Sequence, residues 1–325
     1  MKKGYLYIML SALLFSTMEI SLKLVSTQFN PIQMLFLRFL IGSLILVPLA
    51  VRDLNKRGAT LCKDDFKFFA LTGFICVVIS MLFYQLAILY CKASTVAILF
   101  SCNPIFVIPL AHYILNEKIY NYTIISMIIC AAGIILIMNP MNLADSAAGI
   151  VLVLLSAVTF ALYSVIGRSK SLNYGGIVLN CFSFFMGSME LLAIILLSRT
   201  GFVTRLFTNI GLKTFADIPI LRGITLSSIP ALIYISVFVT GFGYVFYFMA
   251  MDETSVSAAS LVFYIKPALA PVLSLIILKE SIALNTIGGI VLIIIGSCVT
   301  LVLNAKKTKE VNAADVSAYD TELTK

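Results

Sequence analysis

The sequence SVSAASLVFYIKPALAPVLSLIILKES, residues 255–281, is apolar for long enough to cross a bilayer, yet it carries Lys266 and Pro267 side by side at its centre. A membrane-spanning helix needs about 20 predominantly apolar residues. A lysine at that depth is costly in lipid and normally faces a polar cavity or an ionic partner. The stretch therefore predicts a transmembrane helix with a functional charge in its middle.

The composition of the whole chain agrees with a membrane protein. Of its 325 residues, 61% are hydrophobic and only 12% are charged, and the mean hydropathy is +1.05. Soluble domains carry about 25% charged residues, so an ordinary soluble domain is excluded. We assign the net charge of +8 to basic loops on the cytoplasmic side and not to nucleic-acid binding. The seven cysteines show no CxxC spacing and predict buried apolar side chains without a metal site or disulfide.

Ten apolar runs predict an all-α polytopic membrane protein with ten transmembrane helices. The runs cover residues 4–24, 31–51, 67–90, 94–115, 120–139, 149–168, 177–198, 229–250, 256–278 and 285–304. With the N-terminus inside, the inner loops and ends carry twice as many lysines and arginines as the outer ones. This bias predicts cytoplasmic N- and C-termini in a multi-pass protein of the plasma membrane.

The pattern of the opening stretch occurs a second time, in STVAILFSCNPIFVIPLAHYILNEK at 94–118. A shift of 163 residues places Pro104 on Pro267 and Asn103 on Lys266. The chain therefore contains an internal repeat, and each copy has a polar residue followed by a proline near the middle of a predicted helix.

The repeat extends over the whole predicted membrane domain. The same shift places Glu117 on Glu280, and a shift of 145 aligns the first helix with the sixth. Because five is odd, the second copy enters the membrane from the opposite side, so we expect two inverted five-helix repeats, at 1–145 and 146–304. A disordered cytoplasmic tail is expected at 305–325. Inverted repeats recur in secondary transporters, whose sites lie near the bilayer midplane.

Four segments carry a family resemblance: LLFSTMEISLKL at 13–24, NPIQMLFLRF at 30–39, CNPIFVIPLAHYILNEK at 102–118 and YIKPALAPVLSLIILKE at 264–280. With these segments in this order, the chain resembles the EamA branch of the drug/metabolite transporter (DMT) superfamily over residues 4–304. The resemblance implies a ten-helix fold with a central cavity lined by the first four helices of each half. It also implies proton-linked or facilitated export of metabolites.

Four charged residues lie inside the predicted helices, namely Glu19, Arg38, Glu190 and Lys266. Two acids and two bases suggest mutual pairing. For Glu19 and Arg38 we weigh a structural ion pair against a gate that faces the cavity. For Glu190 the alternatives are a pair with Arg38 and a side chain that extends outward to the membrane surface.

Lys266 and its repeat mate Asn103 form the preferred substrate site. Each precedes a proline, Pro267 or Pro104, which removes a backbone hydrogen bond and predicts a helix hinge. Polar side chain and loosened backbone thus coincide near the midplane, where Lys266 would bind a carboxylate or phosphate. The competing interpretation makes Lys266 a fixed counter-ion to Glu19.

Glu19 is the candidate for proton coupling, because a carboxyl group in an apolar cavity can bind a proton and a cationic substrate in alternation. Aromatic and polar-tipped side chains are expected to line the cavity around it. They are Tyr84, Gln85, Phe100, Tyr163, Phe263 and Tyr264.

Together these features predict a secondary transporter that exports amino acids or related small polar metabolites with proton coupling. Two alternatives stay open: a cationic drug or amine exporter that depends on Glu19, and a transporter of organic anions or nucleotide derivatives that depends on Lys266. An enzyme is disfavoured, since no metal-binding motif, serine elbow or phosphate loop is present. The expected partners are a small-molecule substrate, protons and membrane lipid, with no cofactor, metal or nucleic acid. A monomer is sufficient for such a site, and a dimer is compatible with it.

Overall fold

The computed structural model describes residues 2–138, 146–280, 282, 284–296, 298–299 and 303, and the predicted tail at 305–325 lies outside them. All regular structure in the described part is helical. The predicted all-α class is therefore confirmed.

Ten apolar helices are found in the described part of the chain. They are α1 Lys3–Val25, α2 Pro31–Arg57, α3 Lys63–Tyr90, α4 Ala93–Leu115, α5 Asn121–Met138, α6 Ala147–Tyr174, α7 Gly176–Ser198, α8 Ile229–Glu253, α9 Val262–Leu278 and α10 Leu284–Gly296. Seven of them, all except α5, α9 and α10, are long and apolar enough to cross a membrane. The chain is thus a multi-pass membrane protein, whereas ten crossings and the repeat boundaries at 1–145 and 146–304 stay predictions.

The ends of α2 show how the local sequence sets a helix boundary. Asn30 precedes the helix, and its side-chain oxygen accepts a hydrogen bond of 2.9 Å from the Ile32 backbone N–H. Pro31 takes the first helical position, where a missing N–H costs nothing. At the other end Gly58 adopts a left-handed conformation with φ of 61°, which glycine accepts without steric penalty. These two signals fix the start and the end of α2.

The helix packing follows an exchange pattern between the two halves. The first helix, α1, packs against α8 and α9, and α6 correspondingly packs against α3 and α4. Two further contacts, α2 with α7 and α4 with α9, join helices with the same place in each half. If α1 to α5 are exchanged with α6 to α10 in order, the same set of contacts results. The pattern is the one expected of an internal repeat, and the inverted orientation of its two copies stays a prediction.

Irregular backbone also occurs in corresponding helices. A π-helical segment interrupts α3 at Phe74–Ser80 and α8 at Tyr234–Phe242, and such wider turns are frequent at functional sites. Helix α4 is broken into Ala93–Phe100 and Asn103–Leu115. Likewise, a short helix at Val256–Ala259 directly precedes α9. Broken helices in corresponding places are typical of transporter sites.

The two predicted hinges differ in their place within these helices. Pro104 lies in the first turn of the second segment of α4, where no helical hydrogen bond is lost. Pro267 lies inside α9 and leaves the Phe263 carbonyl without its usual backbone donor. Of the two predicted hinge prolines, Pro267 therefore weakens the interior of a continuous helix and Pro104 does not.

The contact between α3 and α7 requires glycine. A Cβ atom placed on Gly73 would lie 2.7 Å from the backbone nitrogen of Gly187 and would overlap the Ser183 carbonyl. Small residues allow membrane helices to approach closely. This contact fixes α3 of the first half against α7 of the second, close to the π-helical segment of α3.

Candidate functional site

The central feature of the molecule is a buried ion pair between Lys266 on α9 and Glu19 on α1. The Nζ of Lys266 contacts Oε1 of Glu19, and neither side chain has any exposed surface. The Tyr84 hydroxyl, on α3, donates to the same carboxylate oxygen and accepts a hydrogen bond of 3.4 Å from Lys266. Three helices from the two predicted halves therefore meet in one charged cluster. Of the two interpretations of Lys266, the structure matches the counter-ion to Glu19.

Aromatic rings enclose the ammonium group of Lys266. Its Nζ lies 5.1 Å from the centre of the Phe100 ring and 5.6 Å from that of Tyr84. Phe100 packs edge-on against Tyr84 at 4.9 Å and against Phe263 at 5.6 Å between ring centres. Aromatic faces attract a cation, most strongly where water is excluded. The predicted group of Tyr84, Phe100 and Phe263 is thus brought together around Lys266.

Further aromatic residues pack on this cluster, among them Phe160 and Tyr244, which the sequence analysis did not single out as site residues. Phe160 of α6 packs against Phe100 at 5.4 Å and against Phe263 at 5.7 Å. Tyr244 of α8 packs against Phe160 at 5.8 Å. The shift of 145 residues would have found Phe160, because it places Phe15, four residues before Glu19, on this position.

Asn103, the repeat mate of Lys266, has a different role from its mate. Its side-chain nitrogen donates a hydrogen bond of 2.8 Å to the Ala157 carbonyl of α6. Its Oδ1 is buried and has no hydrogen-bond partner among the described residues. No described hydrogen bond joins Asn103 to Lys266, and a substrate site formed by the two residues stays a prediction.

Arg38, on α2, is the second buried cation. Its side chain is completely buried, and its guanidinium carbon lies 4.9 Å from the centre of the Phe39 ring. None of its three guanidinium nitrogens has a hydrogen-bond partner within the described chain. The described ion pairs include neither an Arg38–Glu19 nor an Arg38–Glu190 contact. Arg38 thus forms no described ion pair with either of its candidate partners, Glu19 and Glu190.

Several buried oxygens share this lack of partners. Among the described residues, Oε2 of Glu19, Oε1 of Gln85 and Oε2 of Glu190 accept no hydrogen bond. Buried polar groups are satisfied in the great majority of cases, so each exception needs an explanation. One of these atoms belongs to Glu19, which is part of the charged cluster. Another belongs to Gln85, the residue that follows Tyr84.

A small crevice lies at the ends of α1, α2 and α3. It is lined by Val25, Ser26, Phe29, Pro31, Met34, Gln85 and Leu89. Gln85 therefore lines this crevice, which lies on the side that the charge bias predicts to be the cell exterior. Its place in a substrate cavity stays a prediction. Met34 is one helical turn from Arg38 on α2.

The remaining predicted lining residues are not part of the ion pair. The hydroxyl of Tyr163 donates a hydrogen bond of 2.9 Å to the Asn180 side chain of α7. Its ring lies 5.9 Å from that of Phe160, at the edge of the aromatic cluster. The side chain of Tyr264 lies outside the described residues.

The two glutamates aligned by the repeat form reciprocal caps. Glu117, after α4, accepts hydrogen bonds from the Val256 backbone N–H at 3.1 Å and from the Ser257 hydroxyl at 2.6 Å. Glu280, after α9, accepts from the N–H groups of Ala93 and Ser94 at 3.0 and 3.1 Å. Each carboxylate thus caps the N-terminus of the broken helix in the opposite half.

Glu280 also receives hydroxyl hydrogen bonds from Ser274 at 2.6 Å and from Ser94 at 2.8 Å. Burial raises the pKa of Glu280, but the hydrogen bonds from Ser274, Ala93 and Ser94 outweigh burial and hold the pKa below its ordinary value. This cap is therefore charged at neutral pH.

A second pair of corresponding contacts closes the helix ends. Lys23, at the end of α1, donates to the carbonyls of Ile88 and Cys91 at 2.7 and 3.0 Å. Its repeat mate Arg168, on α6, pairs with Asp252 near the end of α8. Both basic residues thus tie the first helix of a half to the end of its third helix.

Comparison with known proteins agrees with this architecture. The model of the EamA-like transporter family matches residues 2–139 and 147–302. A curated protein of Clostridium kluyveri named "Uncharacterized transporter" is 41% identical over 329 residues, covering 99% of this chain and 100% of its own. Another protein of that name, from Archaeoglobus fulgidus, is 26% identical and covers 87% of this chain and 92% of its own. A solved crystal structure with 15% identity has a TM-score of 0.67, covers 94% of this chain and 98% of its own, and supports the fold alone.

Proposed function

Because the chain belongs to the EamA-like transporter family, we propose that it is a secondary transporter that exports amino acids or related small polar metabolites. The cytoplasmic termini and the plasma membrane location belong to the same proposal, as does transport by one chain without a cofactor. The observation that carries it is the buried cluster of Glu19, Tyr84 and Lys266.

The position of this cluster supports alternating access. Glu19 and Tyr84 belong to the first predicted half, and Lys266 belongs to the second. Transporters of inverted-repeat design bind substrate between the repeats and open to each side by moving one repeat against the other. A movement of α9 relative to α1 would separate Lys266 from Glu19 and would expose both charged groups to a substrate.

The cluster also supports proton coupling through Glu19. One of its carboxylate oxygens binds Lys266 and Tyr84, and the other has no partner among the described residues. Protonation would remove the negative charge that holds Lys266, so proton binding and the ion pair exclude one another. A proton taken up at Glu19 would free Lys266 to interact with a substrate anion.

A cationic amine exporter has weaker support. It would require Glu19 to receive the substrate cation, but Lys266 already occupies this place with a full positive charge. Arg38 adds a second buried cation nearby. A cationic substrate would therefore enter a region whose described buried charges are mainly positive.

Flux measurements in proteoliposomes test this function. We expect the wild-type protein to move labelled amino acids or related metabolites across the membrane at a rate that depends on an imposed pH gradient. Lys266→Met should abolish this flux, whereas Lys56→Met, a matched change of an exposed lysine at the end of α2, should not. Glu19→Gln should remove the dependence on the pH gradient.

Two results would contradict the proposal at different levels. Flux by Lys266→Met at the wild-type rate would remove Lys266 from the site, and proton-independent flux by Glu19→Gln at the wild-type rate would remove Glu19 from coupling. If no class of labelled solute crosses with wild-type protein, secondary transport itself is refuted.

A further inference from the structure

We propose that the Arg38 guanidinium binds a carboxylate group of the transported metabolite, so that the substrates are amino acids or organic acids and not amines. This inference rests on the proposed transport function and names the substrate chemistry of the same site. It makes Arg38 an anion-binding group of this site in addition to Lys266.

The first observation is the state of the guanidinium group. Arg38 is completely buried in α2, and none of its three nitrogens has a hydrogen-bond partner in the described chain. A buried cation without partners is strongly destabilising, because its lost hydration is not replaced. The Phe39 ring at 4.9 Å offers only a cation–π contact, which leaves all five N–H donors free. Ionisable residues inside membrane helices are rare and mark substrate or ion pathways.

The second observation is the charge balance around Arg38. Its electrostatic neighbours are Tyr244, Tyr84, Cys76 and Glu19. Glu19 is the acidic residue of this set, and its contact is with Lys266. The cluster of Glu19, Lys266 and Arg38 therefore holds two cations and one anion. A carboxylate group bound at Arg38 would supply the second negative charge.

Glu190 does not supply this missing charge. It lies on α7, half-buried, and no described electrostatic interaction joins it to Arg38. Its Oε2 has no hydrogen-bond partner in the described chain. The predicted ion pair between Glu190 and Arg38 is therefore not formed, and the guanidinium of Arg38 can bind a ligand.

The third observation is the position of Arg38 relative to the crevice. Met34, one turn along α2, lines the crevice together with Gln85. Gln85 follows Tyr84, whose hydroxyl touches both Glu19 and Lys266. The crevice thus approaches the same side of the bundle as the charged cluster.

The chemistry of arginine favours a carboxylate as the ligand. A guanidinium presents paired N–H donors that match both oxygens of a carboxylate in a bidentate contact. A lysine ammonium cannot form this planar fork.

Three kinds of small molecule separate the carboxylate from the ammonium group. They are small amino acids, their amides, which keep only the ammonium group, and the corresponding 2-hydroxy acids, which keep only the carboxylate. We would measure their binding to the purified full chain by thermal stabilisation and their flux in proteoliposomes. The variants are Arg38→Met and Arg38→Lys, and Arg52→Met serves as the matched control at an exposed arginine of α2.

We expect wild-type protein and Arg52→Met to bind molecules with a carboxylate and to ignore the amides. Arg38→Met should bind carboxylates on the order of a hundredfold more weakly, as expected when one partner of a buried charged contact is removed. Arg38→Lys should restore only part of the affinity. Without ligand, Arg38→Met should melt at the same temperature as the wild type or higher, because a buried cation without partners has been removed.

Carboxylate binding by Arg38→Met at wild-type affinity would overturn the proposal, and so would equal binding of the amides. A large fall in melting temperature for Arg38→Met with unchanged binding would assign Arg38 a structural role. If wild-type protein transports amines or neutral solutes but binds no carboxylate, the inference fails and the transport function stands. Absence of flux for every solute would refute the transport function as well.

Discussion

Lys266 and Glu19 form an ion pair in which neither side chain has exposed surface, although the two residues belong to opposite predicted halves of the chain. The attraction between such charges is strong in an apolar interior, but it compensates for lost hydration only when the geometry and the surrounding hydrogen bonds are good. Here the Tyr84 hydroxyl adds one contact to each partner. The pair therefore joins α1, α3 and α9 as long as Glu19 keeps its negative charge.

The ion pair predicts a stability pattern for single and double variants. Lys266→Met or Glu19→Gln alone should lower the free energy of unfolding by about 3–5 kcal/mol, because each leaves a buried charge without its partner. The double variant should recover most of this loss, since it contains neither charge. Thermal unfolding of the purified protein in one detergent measures all three variants.

The double variant also shows whether loss of transport in the single variants results only from misfolding. The double variant should fold well and still transport no substrate, because it lacks both charged groups. Equal melting temperatures for the wild type and both single variants would show that the pair contributes nothing to folding.

The reciprocal caps predict equal effects at two distant places. Glu117→Gln and Glu280→Gln each weaken the cap of a broken helix in the opposite half. Loss of a cap typically costs about 0.5–2 kcal/mol. Because the two sites share no partners, the effects should add in the double variant.

Melting temperatures of the two single variants and the double variant check this prediction. A marked difference between Glu117→Gln and Glu280→Gln would show that the corresponding contacts are not energetically equivalent. A double variant no less stable than either single variant would show that the caps depend on one another.

The Tyr84 hydroxyl should contribute to stability through its two charged contacts. Tyr84→Phe removes this hydroxyl but keeps the ring that lies near Lys266. Hydrogen bonds to charged groups are worth about 1.5–3 kcal/mol, so we expect a loss of that order in the free energy of unfolding. Tyr163→Phe, which removes a hydroxyl bonded to the uncharged Asn180 side chain, is the matched control and should cost less. A larger loss in Tyr163→Phe would contradict this account of the cluster.

The sequence predicted the importance of Lys266 because a lysine in a long apolar run has few structural explanations. It also predicted the correspondence of Glu117 and Glu280, since the repeat aligns them. It did not settle the partner of Glu19, because residue spacing gives the depth of a side chain but not the direction in which its helix faces. Lys266 and Arg38 were equally acceptable partners until the packing of α1 against α9 was known.

For the same reason, the sequence could not predict that Arg38 has no hydrogen-bond or ion-pair partner among the described residues. Balanced intramembrane charges suggested complete pairing, but Glu190 lies on a part of α7 that has no described contact with Arg38. Asn103 shows a related difference. Its place in the repeat matches that of Lys266, but its described hydrogen bond goes to the Ala157 backbone of the neighbouring helix and not to a charged group.

Glu280 should make the stability of the protein depend on acid pH. Its hydrogen bonds hold its pKa below the ordinary value of 4.5. The folded state thus binds this proton more weakly than the unfolded state. The stabilisation is therefore fully present above about pH 4.5 and is lost as the pH falls through the lowered pKa of the folded state. Glu280→Gln lacks this contribution at every pH.

The measurement is the melting temperature of wild-type protein and Glu280→Gln over a series from neutral to acid pH. The difference between them should be constant near neutral pH and should shrink once the pH falls below about 4.5. Lys67→Met, a change of an exposed charge on α3, should follow the wild type across the series. A difference that grows toward acid pH would mean that the folded protein raises the pKa of Glu280, which would contradict the cap seen between α9 and α4.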